Sequence, residues 1–165
     1  TIAKPDAYGR RLGPDQAAAL EQIAVSGRML DLLVGPAGAG KTTAMSALRR
    51  AWEAEHGTGS VIGLAPSAVA AQALADDLGI QTENTAKWWQ NHLMYGDTFG
   101  MGQLVIVDEA SLAGTLSLDR ITSLAAGAGA KVLLAGDHAQ LQSVDAGGAL
   151  IAGMARNRRR APGRR

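Results

Sequence analysis

Gly35-Pro36-Ala37-Gly38-Ala39-Gly40-Lys41-Thr42 decides the fold. It fits G-x-x-x-x-G-K-[ST], a loop that cradles phosphate between a strand and a helix. The flanks match that context. Met29-Leu30-Asp31-Leu32-Leu33-Val34 is an apolar run suited to a strand, and Thr43 to Ala54 reads as a helix. Glycine lets the backbone wrap closely around phosphate oxygens. Successive N–H groups and the helix N-terminus then face the anion. Lys41 can reach the β- and γ-phosphates, and the Thr42 hydroxyl can ligate Mg²⁺. The competing reading is an ordinary glycine turn. It is disfavoured because Lys-Thr follows the last glycine at the required place.

Working outward, Pro14 suits a first helical position, and Ala17, Leu20, Ile23 and Ala24 carry a helical spacing that ends at Gly27. Val61 to Ala65 reads as a buried strand, and Ser67 as the cap of a helix to Leu78 that Gly79 closes. Thr82 to Thr85 reads as a polar loop, and Ala86 to Tyr95 as a helix. Leu104-Val105-Ile106-Val107 is the clearest buried strand, ending at Asp108-Glu109. Ser117 is expected to cap a helix through Ala126, Lys131 to Ala135 to form a strand, and Gly147 to Met154 a last short helix. Strands alternating with helices predict a three-layer α/β fold with a mostly parallel sheet. The polar segments follow strand C-termini, where an open α/β sheet binds ligands.

The 165 residues fit one domain, expected over 1–155, followed by a basic, solvated tail over 156–165. Aromatics are only 4%, so the core is aliphatic. There is no cysteine, which excludes disulfides and thiolate metal sites. The net charge of +1 hides an asymmetry, because Arg156, Arg158, Arg159, Arg160, Arg164 and Arg165 lie in the tail. With those six set aside, ten basic residues face fifteen acidic ones, a balance of −5. A nucleic-acid surface must therefore be local. No apolar run is long enough to span a bilayer and no signal peptide pattern opens the chain, so the default location is cytoplasmic.

A carboxylate pair at a strand end next to the phosphate loop adds chemistry. Asp108 can hold Mg²⁺ through water. Glu109 is placed to orient or deprotonate an attacking water, which favours hydrolysis over transfer. A solvated acidic strand end is the plainer alternative. In Gly136-Asp137-His138-Ala139-Gln140-Leu141, the Gln140 amide can contact the γ-phosphate or its water. Gln16 can pair with an adenine edge, although most glutamines are simply solvated. Ser67 and Thr85 are hydroxyls at loop–helix junctions, good donors to phosphate, and Ser67 is equally a helix cap. Trp88 and Trp89 can stack bases, although a helical tryptophan is more often core.

In order, Gln16, Gly35-Pro36-Ala37-Gly38-Ala39-Gly40-Lys41-Thr42-Thr43, Asp108-Glu109-Ala110-Ser111 and Gly136-Asp137-His138-Ala139-Gln140-Leu141 resemble superfamily 1 helicases, in particular the helicase part of conjugative relaxases and exonuclease V alpha subunits. The likeness spans about residues 12–152. It implies a RecA-like P-loop lobe that, with ATP and Mg²⁺, drives translocation on single-stranded DNA in the 5′→3′ sense. Gln16 and residues Gly35 to Thr43 would bind nucleotide, Thr42 and Asp108 the metal, and Lys41, Glu109 and Gln140 would act in catalysis. Pro66 and Ser67, then Asn84 and Thr85, would contact DNA. The family also needs a second RecA-like lobe with charge-stabilising arginines, for which this chain has no room after Leu150. Two alternatives stay open: a P-loop ATPase or kinase not acting on DNA, and a nucleotide-binding module inactive without its second lobe.

Overall fold

The computed structural model describes residues 2–6, 9–34 and 39–137. In chain order, α1 (Pro14–Val25) leads to β1 (Leu30–Val34), α2 (Ala39–His56), β2 (Val61–Ala65), α3 (Ala68–Leu78) and β3 (Gln81–Asn84). Then come α4 (Thr85–Tyr95), β4 (Leu104–Val107), a 3-10 turn (Ala110–Leu112), α5 (Thr115–Ala128) and β5 (Lys131–Gly136). The five strands form one sheet in the order β1-β5-β4-β2-β3, and every pairing is parallel. All five C-termini therefore open on the same edge.

The central strands β4 and β5 are buried along their whole length. That is the environment that unbroken runs such as Leu-Val-Ile-Val require. Their side chains alternate between two cores. Leu104, Ile106, Leu133 and Ala135 pack with Leu20 of α1, Leu48 and Trp52 of α2, and Leu74 and Leu78 of α3. Val105, Val107, Val132 and Leu134 pack with Trp88 of α4 and Leu118, Ile121 and Ala125 of α5. The result is a three-layer sandwich with three helices on one face and two on the other.

Several expectations are corrected. The polar loop expected at Thr82–Thr85 is instead the strand β3 and the start of α4. Its register on β2 runs from Ile62 opposite Gln81 to Ala65 opposite Asn84. An outer strand needs a ladder partner rather than a hydrophobic pattern, so its sequence reads as a loop. Ser117 does not cap α5. The helix begins two residues earlier, behind Gly114 at φ 78°. The phosphate-loop helix begins at Ala39, so Gly40, Lys41 and Thr42 already lie in its first turn. The expected helix at 147–154 and the tail at 156–165 lie outside the described residues.

A buried ion pair joins the sheet to α1 at the edge where the strands begin. Asp31 of β1 and Lys131 of β5 meet at 2.8 Å, both almost fully buried. The Lys131 ammonium also donates to the carbonyls of Ile23 and Ser26 and to the Ser26 hydroxyl, and so closes the C-terminus of α1. Ser26 Oγ in turn donates to Asp31 Oδ2 at 2.7 Å. Arg49 of α2 performs a similar task for α3, donating to the Leu78 carbonyl at 2.6 Å and pairing with Glu53.

Candidate nucleotide and DNA edge

The C-terminal edge of the sheet divides into two halves. The half formed by β1, β5 and β4 carries the residues expected to meet nucleotide. Lys41 and Thr42 are half-buried in the first turn of α2, beyond β1. Among the described residues no carboxylate pairs with Lys41. Thr43 is buried under that turn. Gln16 is brought to the same place, its Nε2 lying 3.9 Å from where a Cβ on Gly40 would stand. Its Oε1 accepts from the Gly13 N–H at 3.1 Å, so the same amide also caps the start of α1. Gly35, Pro36, Ala37, Gly38 and Gln140 lie outside the described residues, as does the Ala39 side chain.

Asp108 and Glu109 leave β4 in a distorted turn. The Asp108 N–H continues the ladder to the Leu64 carbonyl at 2.9 Å. Its Oδ1 accepts from the Glu109 N–H at 2.9 Å. Glu109 sits at φ 48°, ψ 43°, and is the only non-glycine residue with positive φ among those described. Left-handed backbone costs an L-residue roughly 1–2 kcal/mol. It persists here because both flanks are fixed. The ladder holds Asp108, fully buried Ala110 anchors the following turn, and the Leu112 N–H donates to the Glu109 carbonyl. The consequence is a carboxylate turned out into solvent at the strand end. Such strain gathers where function overrides local preference.

β1 and β4 are separated by β5 alone, so the strand end that leads towards Lys41 and Thr42 and the one that leads into Asp108 stand two strand spacings apart, about 10 Å. One carboxylate and one hydroxyl fit a Mg²⁺ ion, which keeps several waters and takes its remaining ligands from substrate phosphates. Among the described residues no cluster of three metal-ligating side chains forms.

The other half of the edge, beyond β2 and β3, holds two helix N-termini side by side. Ser67 is exposed and caps α3, accepting from the Ala70 N–H at 3.1 Å and keeping its own proton to donate. Half-buried Pro66 precedes it. Asn84 caps α4, accepting from the N–H groups of Ala86 and Lys87. Thr85 has a different position from the open hydroxyl expected of it. It is buried, and its Oγ1 donates to the Ala65 carbonyl at 3.0 Å, tying the end of β2 to the start of α4. Trp88 is core, stacked on Phe99 at 4.2 Å, whereas Trp89 is only half-buried.

These features define an α/β nucleotide-binding lobe built on a parallel sheet. Residues 11–162 match the family model described as AAA domain, and the chain belongs to that family. Within it, the motif order and relatives are those of a superfamily 1 helicase RecA-like lobe. The conjugal transfer protein TraA of Rhizobium radiobacter is 38% identical over 144 residues, covering 86% of this chain and 13% of that protein. The ATP-dependent RecD2 DNA helicase of Deinococcus radiodurans is 34% identical over 161 residues, covering 91% of this chain and 21% of that protein. The chain thus spans a small part of the length of these relatives. In fold it is similar to the large terminase of bacteriophage HK97, with a TM-score of 0.61 at 13% identity over 91% of this chain and 38% of that one.

Proposed function

We propose that residues 1–155 form the first motor lobe of an ATP-driven single-stranded DNA translocase, completed by a second lobe across the same edge, with 156–165 a basic tail. The observation that carries this reading is the strained Glu109 turn beside Asp108, two strands from the one that leads to Lys41 and Thr42. In this reading Lys41 offsets the charge of the outer phosphates, and Thr42 and Asp108 would hold a Mg²⁺ ion, which would neutralise further phosphate charge. Glu109, exposed and aimed outward, takes the proton of the attacking water. Gln16 and residues Gly35 to Thr43 cradle the nucleotide, and Gln140 reports whether its last phosphate is present. Pro66, Ser67 and Asn84 meet the DNA backbone at the N-termini of α3 and α4, with Thr85 holding that edge together.

Exposed Val34, Val69, Leu112 and Leu116 lie at or near this edge and support its being covered in the working protein. No helix among the described residues is long and apolar enough to cross a membrane, in keeping with a motor acting on DNA in the cytoplasm. Phosphate release from ATP with and without an oligothymidine strand tests the proposal. In a longer chain that includes the second lobe, DNA is expected to raise the rate and Lys41→Ala to abolish it. Turnover indifferent to DNA would favour an ATPase or kinase of another kind.

A further inference from the structure

Trp89 and Arg120 form a feature that the nucleotide edge does not use. Trp89 lies in the second turn of α4 and Arg120 in the second turn of α5. The guanidinium carbon sits 5.0 Å from the centroid of the indole ring. Beneath, the indole packs against the core of that face and is tilted 33° to the His92 ring at 5.2 Å. The platform is therefore anchored from below. Arg120 itself is exposed, and among the described residues no carboxylate pairs with it. Arg10, Arg28 and Arg49 each have an acidic partner on their own or an adjoining segment. An exposed arginine over an aromatic ring, with its N–H donors uncommitted to carboxylate, can present both a stacking plane and phosphate-binding groups.

We propose that the Trp89–Arg120 pair is a binding platform for an unpaired nucleotide of single-stranded nucleic acid. A base stacks on the outer plane of the guanidinium, and a neighbouring phosphate takes its N–H groups. The location suits this. Trp89 is five residues along α4 from its cap Asn84, about 7.5 Å down the axis from the helix end at which the DNA backbone is placed above. A strand meeting that N-terminus passes directly onto the platform. The chain away from its tail is net acidic, so an unpaired cation on this face has a strong local effect. The inference rests on the DNA reading of the preceding section.

Titrating the protein with fluorescein-labelled oligothymidine across a salt series separates the two. Stacking is worth about 1–3 kcal/mol per base, so Trp89→Ala, which removes the ring under the stacked guanidinium, is expected to weaken binding about 5- to 150-fold at every salt concentration. Arg120→Gln is expected to weaken binding and to lower the slope of log affinity against log salt by about 0.7, the loss of one contact to a single-strand phosphate. Arg120→Lys keeps the charge but not the plane, and is expected to restore the slope without the full affinity. Melting curves of each variant show whether the fold is kept. Should Trp89→Ala unfold the protein, the Arg120 pair decides alone. Wild-type binding with both Arg120 variants unchanged in affinity and slope would overturn the platform and leave the DNA reading standing. No binding by the wild type would overturn both.

Discussion

At the residue scale, Glu109 and Gly63 show opposite uses of local conformation. Glu109 is a non-glycine residue in a left-handed turn, and nothing in Asp-Glu-Ala-Ser marks it as such. Glu109→Gly relieves that turn at about 1–2 kcal/mol and gives back about 0.5–1 in chain entropy. We expect stability, measured by urea unfolding, to hold or rise by up to about 1 kcal/mol. Hydrolysis in the two-lobed protein should fall about 10²–10⁴-fold, a loss shared by Glu109→Gln, which keeps the strain. A fall in stability for Glu109→Gly would contradict the strain argument. At Gly63 the constraint is space. An added Cβ would stand 2.7 Å from Leu74 Cδ2 and 2.9 Å from Thr82 Cγ2. Thr82 cannot easily give way, because its hydroxyl is bonded to the Ala71 carbonyl at 2.7 Å. Gly63→Ala is expected to cost about 1–3 kcal/mol, read by the same unfolding. Position 63 looks like any glycine within an apolar run, since only the packing of α3 and β3 over β2 gives it a reason.

At the element scale, the legible parts were those with a strong local pattern. β2 and β4 follow their apolar runs, and α3 runs from its Ser67 cap to Gly79 at φ 63° as expected. β3 was not legible, because a polar four-residue strand becomes a strand only through β2. The Asp31–Lys131 pair was equally hidden, its members standing 100 residues apart. Removing one partner of a buried pair leaves the other charge uncompensated, which costs about 3–5 kcal/mol. Asp31→Asn, which leaves the Lys131 ammonium buried without a carboxylate, is expected to lose stability of that order by chemical denaturation, and Lys131→Met to lose less, because Asp31 keeps Arg28 at 3.6 Å. The double variant Asp31→Leu/Lys131→Met should lose clearly less than the sum. Additive losses would show that the two charges do not depend on each other.

At the scale of the whole molecule, the parallel sheet opens the segments proposed to meet nucleotide and DNA on one edge and leaves the ion pair at the other. Nucleotide binding can therefore be tested without hydrolysis. Mg-ADP at about a hundred times its dissociation constant should stabilise this chain by about 2.7 kcal/mol in thermal unfolding, and Lys41→Ala should remove the shift. An unshifted melting curve for the wild type would speak against the site. Hydrolysis by this chain alone should be about 10³–10⁵-fold slower than in a protein with the second lobe, the usual worth of a charge-stabilising arginine supplied from outside. The sequence by itself determined the strand–loop–helix context of Gly35 to Thr42, the alternation that makes the sheet parallel, and the motif order that marks the family. Each is written in contiguous residues, where spacing and side-chain type act directly on the neighbouring backbone. Tertiary structure alone decided the strand order, the strain at Glu109, the burial of Thr85 and the meeting of Trp89 with Arg120. Those depend on segments far apart in the chain, which touch only once the two cores have closed over the sheet.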